Sequence, residues 1–366
     1  INPSHFYSND IDLFGVGSFF QYINRTVTIE GKKLLAKNFT ENEIECILEK
    51  QNTVNELSKK VKWRQHFSAL ASLVTTKNTS GFIINWIHNY TTVLPSYLSK
   101  TPLVFSVISL VLIGLVSFAI VPFSILLLWF FVGLAITGKY LKKTNSLYTE
   151  TDNVRETFKQ YHVLLNEIEN ETFSSKTLKE KQEIINSESK KASTIFKEFS
   201  KILDAFDQRN NIVIAVLGNG LFLTEVRNAV NVEKWISKYK HTVEEWFAVV
   251  AFFDAQNSLA NFKFNHTKFV FPEILSQKEV IKGTNLGHPL LDAIKRVDND
   301  FTINKEEFFI VTGANMAGKS TFLRTISLSI VMANCGLPVC AENFKYAPIK
   351  LITSMRTADS LTEDES

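Results

Sequence analysis

The 366-residue sequence predicts a mixed fold, in which a mostly α-helical region with a transmembrane helical hairpin precedes an α/β domain. Three observations predict it. Apolar residues recur at helix-like spacing through residues 1–100. No charged residue occurs between Leu103 and Ile136. From Lys268 onward, short apolar runs are broken by Gly, Pro and Asn, a texture typical of strands alternating with loops.

Composition excludes several classes of protein. The chain has 40 Lys and Arg against 37 Asp and Glu, and 45% of its residues are apolar while 21% are charged. It is therefore too hydrophobic and too weakly charged for a disordered, histone-like or acidic-tail protein. Cys46, Cys335 and Cys340 form no CxxC pair, so neither a disulfide framework nor a zinc site is predicted. The chain opens without Met and ends in an acidic stretch, and we interpret it as a fragment.

The charge-free block predicts two membrane crossings within residues 101–140. One crossing needs about 20 residues and two need about 34–50, and Pro122 lies where a hairpin would turn. Lysines flank the block at Lys100 on one side and from Lys139 to Lys143 on the other, which favours cytoplasmic flanks on both sides. We expect lipid contact over residues 103–138, a location in the cytoplasmic membrane, and a C-terminal domain facing the cytoplasm.

The block also permits a second interpretation. Gly114, Gly133 and the serines would equally suit the packing of a soluble hydrophobic hairpin buried in a helical domain. A further apolar run, Ile212 to Leu223, is only 12 residues long and predicts a buried helix segment.

The charged segments around these blocks predict further helices. Residues 144–211 contain neither Gly nor Pro and favour long, solvated helices. The lysines of Lys176–Lys201 are interleaved with Glu and Ser, which favours plain solvation over a DNA-facing stripe. The segment Val232–Asn261 predicts one amphipathic helix whose aromatic residues belong to a core. Those residues are Trp235, Trp246, Phe247, Phe252 and Phe253.

The strongest chemical signal is a phosphate-binding motif. Phe308–Thr312 predicts a strand, Gly313–Ser320 reads G-x-x-x-x-G-K-[ST], and a helical run follows to about Asn334. The glycines let backbone N–H groups surround phosphate oxygens, and the helix N-terminus adds partial positive charge. Lys319 is expected to reach the β- and γ-phosphates, and the Ser320 hydroxyl to bind Mg²⁺. The predicted ATP-binding residues of this loop are Gly313, Ala314, Asn315, Met316, Ala317, Gly318, Lys319, Ser320 and Thr321.

The loop and its surroundings resemble the DNA mismatch repair ATPases of the MutS family. The segment Thr312–Thr325 is close to that family's T-G-P-N-M-x-G-K-S-T-x-L-R-x loop, with Ala314 in place of Pro. Asn285–Leu290 resembles its G-R-H-P element, with Gly287 where Arg is common, and Arg296–Asp300 resembles its x-V-x-N-D segment beside the adenine.

Two further segments near the start carry the same resemblance. Gly17–Leu35 is similar to the opening of the family's core domain, and Glu49–Gln51 stands in place of its E-R-Q.

Two residues that precede the phosphate loop are further candidates for the nucleotide site. The alternative for His288 is a structural cap, and the alternative for Arg296 is a solvated surface residue.

The resemblance implies a domain layout and a mechanism. The layout is a helical core (1–100), the hairpin (101–140), a helical core and lever (141–265), and the first part of a P-loop NTPase domain of the ABC-like, domain V type (266–366). Lys319 and Ser320 would act in catalysis. Asp359–Ser366 resembles the D-D-L-x-x-x-x-S signature, in which Ser366 would face the γ-phosphate held by the partner of a homodimer.

Two functions remain open at this point. The first is a membrane-tethered MutS-type ATPase that uses ATP and Mg²⁺ and binds duplex or mismatched DNA. The alternative is a membrane-anchored scaffolding protein that keeps the ATP switch and has lost mismatch recognition. By the resemblance, the family's mismatch-reading domain with its Phe-x-Glu wedge would lie before residue 1, and the given sequence ends before the family's Walker B residues.

Overall fold

A computed structural model of the chain describes residues 5–41, 43–73, 80–152, 154–186, 188–207, 212–275, 279–314 and 317–354. Within these ranges the chain is mostly helical, with one small mixed sheet near its C-terminal end. The helices are α1 (Phe19–Ile23), α2 (Ile29–Glu41), α3 (Ile47–Lys59), α4 (Val61–Ser72), α5 (Ser80–Asn89), a 3₁₀ turn (Ser96–Ser99), α6 (Thr101–Ser117), α7 (Phe123–Asp152), α8 (Arg155–Asn170), α9 (Lys176–Ile185), α10 (Ala192–Asp207), α11 (Ile212–Phe222), α12 (Thr224–Tyr239), α13 (Val243–Asn265) and α14 (Lys319–Asn334). The strands are β1 (Glu273–Ile274), β2 (Glu279–Leu286), β3 (Asn299–Asn304) and β4 (Asn343–Tyr346).

The chain divides into two compact units, each assembled from separate stretches of sequence. The sheet unit takes the described residues of Ile1–Ser68, Thr172–Lys181 and Ala251–Ser366. The helical unit takes those of Ala69–Glu171 and Gln182–Val250. The domain boundaries proposed from the sequence alone stay a prediction.

The sheet of the sheet unit is built around β2. Its strand order is β1-β4-β2-β3, with β2 antiparallel to both neighbours and β1 parallel to β4. Ile281 on β2, Phe301 on β3 and Phe344 on β4 are buried in one hydrophobic cluster. The same cluster contains the buried side of α14, including Leu328 and Val331, so the sheet fixes the position of that helix.

The entry to α2 explains part of the sequence pattern in Gly17–Leu35. Thr28 Oγ1 accepts a hydrogen bond from the Gly31 N–H at 2.9 Å and caps the helix. The buried Asp254 carboxylate of α13 accepts from the N–H groups of Val27 and Thr28 and from the Thr28 hydroxyl. A Cβ at Gly31 would lie 2.2 Å from Asp254 Oδ2, so glycine is required there by close contact.

Aromatic side chains form the centre of the helical unit. The rings of Phe199 and Trp235 stack with centroids 3.8 Å apart, and Phe158 packs edge-on against both. Trp246 and Phe247 are buried beside them, which confirms the core assignment of these aromatic residues. The prediction of one helix over Val232–Asn261 is wrong, because α12 ends at Tyr239 and α13 begins at Val243.

Helices α6 and α7 form a hairpin with its turn at residues 118–122. The Phe105 and Trp129 rings stack with centroids 4.3 Å apart, and Trp129 Nε1 donates a hydrogen bond to Ser109 Oγ at 2.8 Å. Among the described helices, α7 is long and apolar enough to cross a membrane, whereas α6 is apolar but has only 17 residues. The membrane hairpin therefore stays a prediction.

Helix α11 differs from its predicted environment. The run Ile212 to Leu223 does form a helix over Ile212–Phe222, but its burial was predicted wrongly. Ile212 is 78% exposed and Val213 63%, whereas Asn219 and Gly220 near the C-terminal end of the helix are buried.

Candidate nucleotide-binding site

The predicted phosphate loop leads directly into α14. Gly318 is the residue before the helix, with φ +84°, and no atom lies within 4 Å of the place a Cβ would take. Glycine is thus required by backbone conformation rather than by crowding. Lys319 and Ser320 occupy the first turn, where N–H groups lack intrahelical partners and the helix dipole is positive. This end of α14 is suited to bind an anion.

The Lys319 ammonium lies over the loop. Its Nζ donates hydrogen bonds to the carbonyl oxygens of Gly313 at 2.6 Å and Ala314 at 2.7 Å. Ser320 and Thr321 are exposed next to it. The loop therefore presents a cation, two hydroxyls and a helix N-terminus to solvent at one place.

A cleft of about 770 Å³ opens beside the loop. This volume is in the ordinary range for small-molecule sites, roughly 300–1,000 Å³. The cleft brings His288 and Arg296 together with the loop, although about twenty to thirty residues of sequence separate them. Its lining residues are Leu286, His288, Leu291, Lys295, Arg296, Val297, Asn299, Asp300, Phe309, Ile310, Val311, Thr312, Ala317, Gly318, Lys319, Thr321, Phe322 and Thr325.

Arg296 is fixed by an ion pair. Its Nε and Nη2 donate to the two carboxylate oxygens of Asp298 at 2.5 and 3.2 Å, which raises the pKa of the already basic guanidinium. A Cβ on Gly287 would lie 2.2 Å from Arg296 Nε and 2.1 Å from Asp298 Oδ1. Arg296 therefore occupies the space that a side chain at position 287 would need.

His288 is half-buried at the same cleft. Burial lowers its pKa, and the positive charges of Arg324 and Arg296 lower it further. Its Nδ1 accepts a hydrogen bond from the Leu290 N–H at 3.3 Å. Burial and these neighbouring charges therefore favour the neutral form of the imidazole.

Sequence reasoning missed the contacts that hold α14 from the other side. Arg324 Nη1 lies 2.7 Å from an Asp12 carboxylate oxygen, and Arg324 Nε donates to the Asp10 carbonyl at 3.0 Å. Thr353 Oγ1 donates to the Asp10 carboxylate at 2.6 Å. More than 300 residues separate the partners of the first pair, and the sequence signal for it was that Asp10 and Asp12 are the only acidic residues before Glu30.

The strand predicted over Phe308–Thr312 is absent from the described residues, and this prediction is wrong. The segment pairs with none of β1–β4, so it lacks the ladder of hydrogen bonds that defines a strand. The Phe309 ring contacts the Phe301 ring edge-on, with centroids 5.2 Å apart. Phe308 is 84% exposed in consequence.

Three predicted site residues lie outside the described residues. They are Asn315, Met316 and Ser366. In the part of the chain that the structure describes, no three His, Cys, Asp or Glu side chains are grouped so as to hold a metal ion.

Residues 309–366, which carry the loop and α14, match the family model described as MutS domain V. The loop and α14 therefore lie in the matched segment, whereas His288 and Arg296 lie before it. The chain is 26% identical over 174 residues to a DNA mismatch repair protein MutS of Staphylococcus saprophyticus, covering 45% of this chain and 19% of that protein. It is 37% identical over 95 residues to the DNA mismatch repair protein MSH6 of Arabidopsis thaliana, covering 24% of this chain and 7% of that protein.

A MutS protein of Staphylococcus aureus gives a similar result, with 24% identity over 173 residues. These matches show that the chain is similar to MutS-family proteins over the segments they cover. The matched part of the chain spans 19% of the length of the S. saprophyticus protein and 7% of the length of the A. thaliana protein.

Proposed function

We propose that the chain is the ATP-binding part of a MutS-family ATPase that uses Mg²⁺ and switches conformation with the nucleotide. The observation that carries the proposal is the convergence of His288 and Arg296 with Lys319 and the α14 N-terminus on one cleft of nucleotide size. The match of residues 309–366 to MutS domain V supports it independently.

Each group in the cleft has a chemical role in this proposal. Lys319 exchanges its two carbonyl partners for the β- and γ-phosphate oxygens, and Ser320 contributes its hydroxyl to Mg²⁺. Free N–H groups at the start of α14 bind phosphate oxygens. Arg296 and the apolar lining, including Val297 and Ile310, suit the base, because a planar guanidinium stacks on an aromatic ring.

ATP hydrolysis by the full-length protein tests this proposal. Lys319→Ala should lower the hydrolysis rate by about 10²–10³, the usual loss when a transition-state charge stabiliser is removed. Lys350→Ala is the matched control, since Lys350 is exposed in the same unit and does not line the cleft. Equal rates for Lys319→Ala and Lys350→Ala would overturn the assignment of the loop.

Homodimerisation belongs to the same proposal. By family resemblance, Ser366 of one subunit acts on the γ-phosphate held by the other. A mixture of full-length Lys319→Ala and Ser366→Ala subunits should then regain activity that neither has alone. An inactive mixture in which heterodimers are shown to form would refute the action in trans.

Duplex DNA is the partner proposed for the whole protein, because both relatives are named as DNA mismatch repair proteins. The described lysines give no separate support. Lys176 lies 3.2 Å from a Glu49 carboxylate oxygen and Lys190 lies 2.6 Å from one of Glu198, so these charges already have acidic partners. Affinity for matched and mismatched duplexes, with its salt dependence, separates the DNA-binding protein from the scaffolding alternative.

Membrane anchoring by α6 and α7 completes the proposal. Large apolar side chains cover the outside of this hairpin without a protein partner among the described residues. Examples are Leu103 at 69% exposed, Leu110 at 60%, Phe118 at 79% and Leu128 at 67%. Exposed apolar surface of this extent is unfavourable in water by about 25 cal/mol per Å² and favourable in lipid.

A further inference from the structure

We propose that α11 is a third lipid-contacting helix, which lies beside the α6–α7 hairpin and enters the bilayer without crossing it. The inference rests on the membrane anchoring proposed above. Its first observation is the exposure of four large apolar side chains on a helix of 11 residues. They are Ile212 (78%), Val213 (63%), Val216 (44%) and Leu217 (52%).

These four side chains share one face of α11. Their spacing of i, i+1, i+4 and i+5 places them on one side of a helix with 3.6 residues per turn. Asn219 and Gly220 lie further along the same side of the helix, where its C-terminal end is buried against the hairpin. No charged residue occurs from Ile212 to Phe222, so this apolar face has no charged residue of its own helix on it.

The second observation is how closely α11 packs on the hairpin. A Cβ on Gly220 would lie 2.1 Å from the Phe130 ring, and one on Gly133 would lie 2.3 Å from the Gly220 carbonyl oxygen. Ser106 Oγ is 3.3 Å from the Phe222 carbonyl oxygen. Small residues that let two backbones approach in this way are typical of helix contacts inside membranes.

The location of these contacts connects α11 to the lipid. Phe130 and Gly133 of α7 and Ser106 of α6 all lie within the charge-free stretch Leu103–Ile136. If that stretch is surrounded by acyl chains, a helix in direct contact with it is surrounded by them as well. The exposed face of α11 thus continues the apolar surface of the hairpin.

The charges and aromatic hydroxyls at the edge of this surface favour a bilayer over a protein partner. Lys100 and Lys139 flank the hairpin, where they suit anionic headgroups. The hydroxyls of Tyr97 and Tyr140 are hydrogen-bonded to each other, and Lys139 lies over the Tyr140 ring at 5.7 Å. Tyrosines beside lysines at the end of an apolar helix are typical of the membrane interface.

The length of α11 decides how it is inserted. Its 11 residues span about 16 Å at 1.5 Å per residue, which is about half of the roughly 30 Å hydrocarbon layer. It therefore does not cross the bilayer. Its C-terminal end joins a buried polar network, in which the Asn219 side-chain oxygen accepts from the Glu225 N–H at 2.8 Å and Glu225 accepts from the Thr144 hydroxyl at 2.7 Å.

A fluorescent label at single positions tests the inference. In the full-length protein, Cys46 and any cysteine outside residues 1–366 are replaced by Ser, while Cys335 and Cys340 are buried. This protein receives Val213→Cys or Val216→Cys and an environment-sensitive dye. It is then reconstituted in vesicles of phosphatidylethanolamine and phosphatidylglycerol. Val107→Cys on α6 is the lipid reference, and Lys201→Cys on the exposed side of α10 is the water reference.

We expect dye at Val213 and Val216 to emit at the blue-shifted wavelength seen at Val107, and to lose intensity to spin-labelled acyl chains. If only Val107 shows this behaviour, the role of α11 is refuted and the hairpin anchor stands. If Val107 also behaves like Lys201, the membrane anchoring itself fails. A dye at Val213 that is shielded from lipid and crosslinks between two copies would overturn the inference in favour of a second chain. Circular dichroism of each labelled protein verifies that it is folded.

Discussion

Gly287 illustrates how a single residue sets the geometry of the cleft. The Arg296–Asp298 ion pair fills the space beside its Cα, with 2.2 Å between Arg296 Nε and the place of a Cβ. In the resembling family element an Arg is common at this position. In this chain the Arg296 guanidinium occupies that space, so a side chain at position 287 and the Arg296 side chain exclude each other.

Gly287→Ala should disturb this ion pair. Inserting a methyl group into such a packed site lowers the free energy of unfolding by about 1–3 kcal/mol. Gly283→Ala, in strand β2 just before Gly287, is the matched control, since its Cβ would lie 3.2 Å from a Phe344 ring atom, and it should lose less. Denaturant unfolding of both variants checks this, and an equal loss in the two would contradict the account.

Glu56 gives a pH-dependent test. Its carboxylate accepts from the N–H groups of Ser174 and Ser175 at 2.7 and 2.6 Å, just before α9. Partial burial by itself raises the pKa of Glu56, but these hydrogen bonds outweigh it, so the net pKa is lowered. A carboxyl group with a lowered pKa in the folded state stabilises above the unfolded pKa, and that stabilisation is lost as pH falls through the folded pKa.

Glu56→Gln should therefore destabilise the protein at neutral pH by about 0.5–2 kcal/mol, the usual range for a lost helix cap. The difference from wild type should shrink below about pH 4, where the unfolded carboxyl group is protonated. Unfolding free energies measured at several pH values check this. A difference that stays constant down to pH 3 would show that the charge of Glu56 has no part in it.

Local motifs predicted the site residues that belong to one short segment. Gly318, Lys319 and Ser320 follow from the loop pattern, and the structure places them at the start of α14 as that pattern requires. The contacts of Arg324 with Asp10 and Asp12 were not predicted, because they join the two ends of the chain. No spacing rule reaches over such a separation.

At the scale of elements, the sequence predicted helices well and their surroundings less well. Helix α14 runs to Asn334 as predicted, because an apolar periodic run ends there at Gly336. The burial of α11 was mispredicted, since the periodicity of an uncharged, mostly apolar segment does not show whether its side chains are buried or exposed. The strand at Phe308–Thr312 was mispredicted because strands depend on partners that periodicity does not show.

The end of α14 provides a test at this scale. Gly336 has φ +73°, and a Cβ there would lie 2.5 Å from Lys50 Cβ and 2.8 Å from the Gln51 backbone nitrogen. Gly336→Ala adds strain from both causes and should lower the free energy of unfolding by about 1–3 kcal/mol. Gly138→Ala, inside α7 with no atom within 4 Å, should instead raise it by about 0.5–1 kcal/mol. Changes of the same sign in thermal unfolding of the two variants would contradict this explanation.

At the scale of the whole molecule, the two compact units are discontinuous in sequence. The sheet unit is made of three separate stretches of the chain. Its hydrophobic cluster joins α1–α3 with the sheet and α14. Prediction from composition places domain boundaries where the residue composition changes along the sequence. It therefore does not predict units made of separated stretches. The proposed switching function requires that the nucleotide site be packed firmly against the rest of its unit. The hydrophobic cluster that α14 shares with the sheet and α1–α3 provides this packing.

Equilibrium binding of ATP to the full-length protein, with and without Mg²⁺, tests the central claim most directly. We predict that wild type binds Mg-ATP and that Lys319→Ala binds it about 10–100-fold more weakly, as expected from losing a charged hydrogen bond of about 1.5–3 kcal/mol. Lys350→Ala should bind like wild type. If Lys319→Ala binds Mg-ATP as tightly as wild type, the cleft beside α14 is not the nucleotide site.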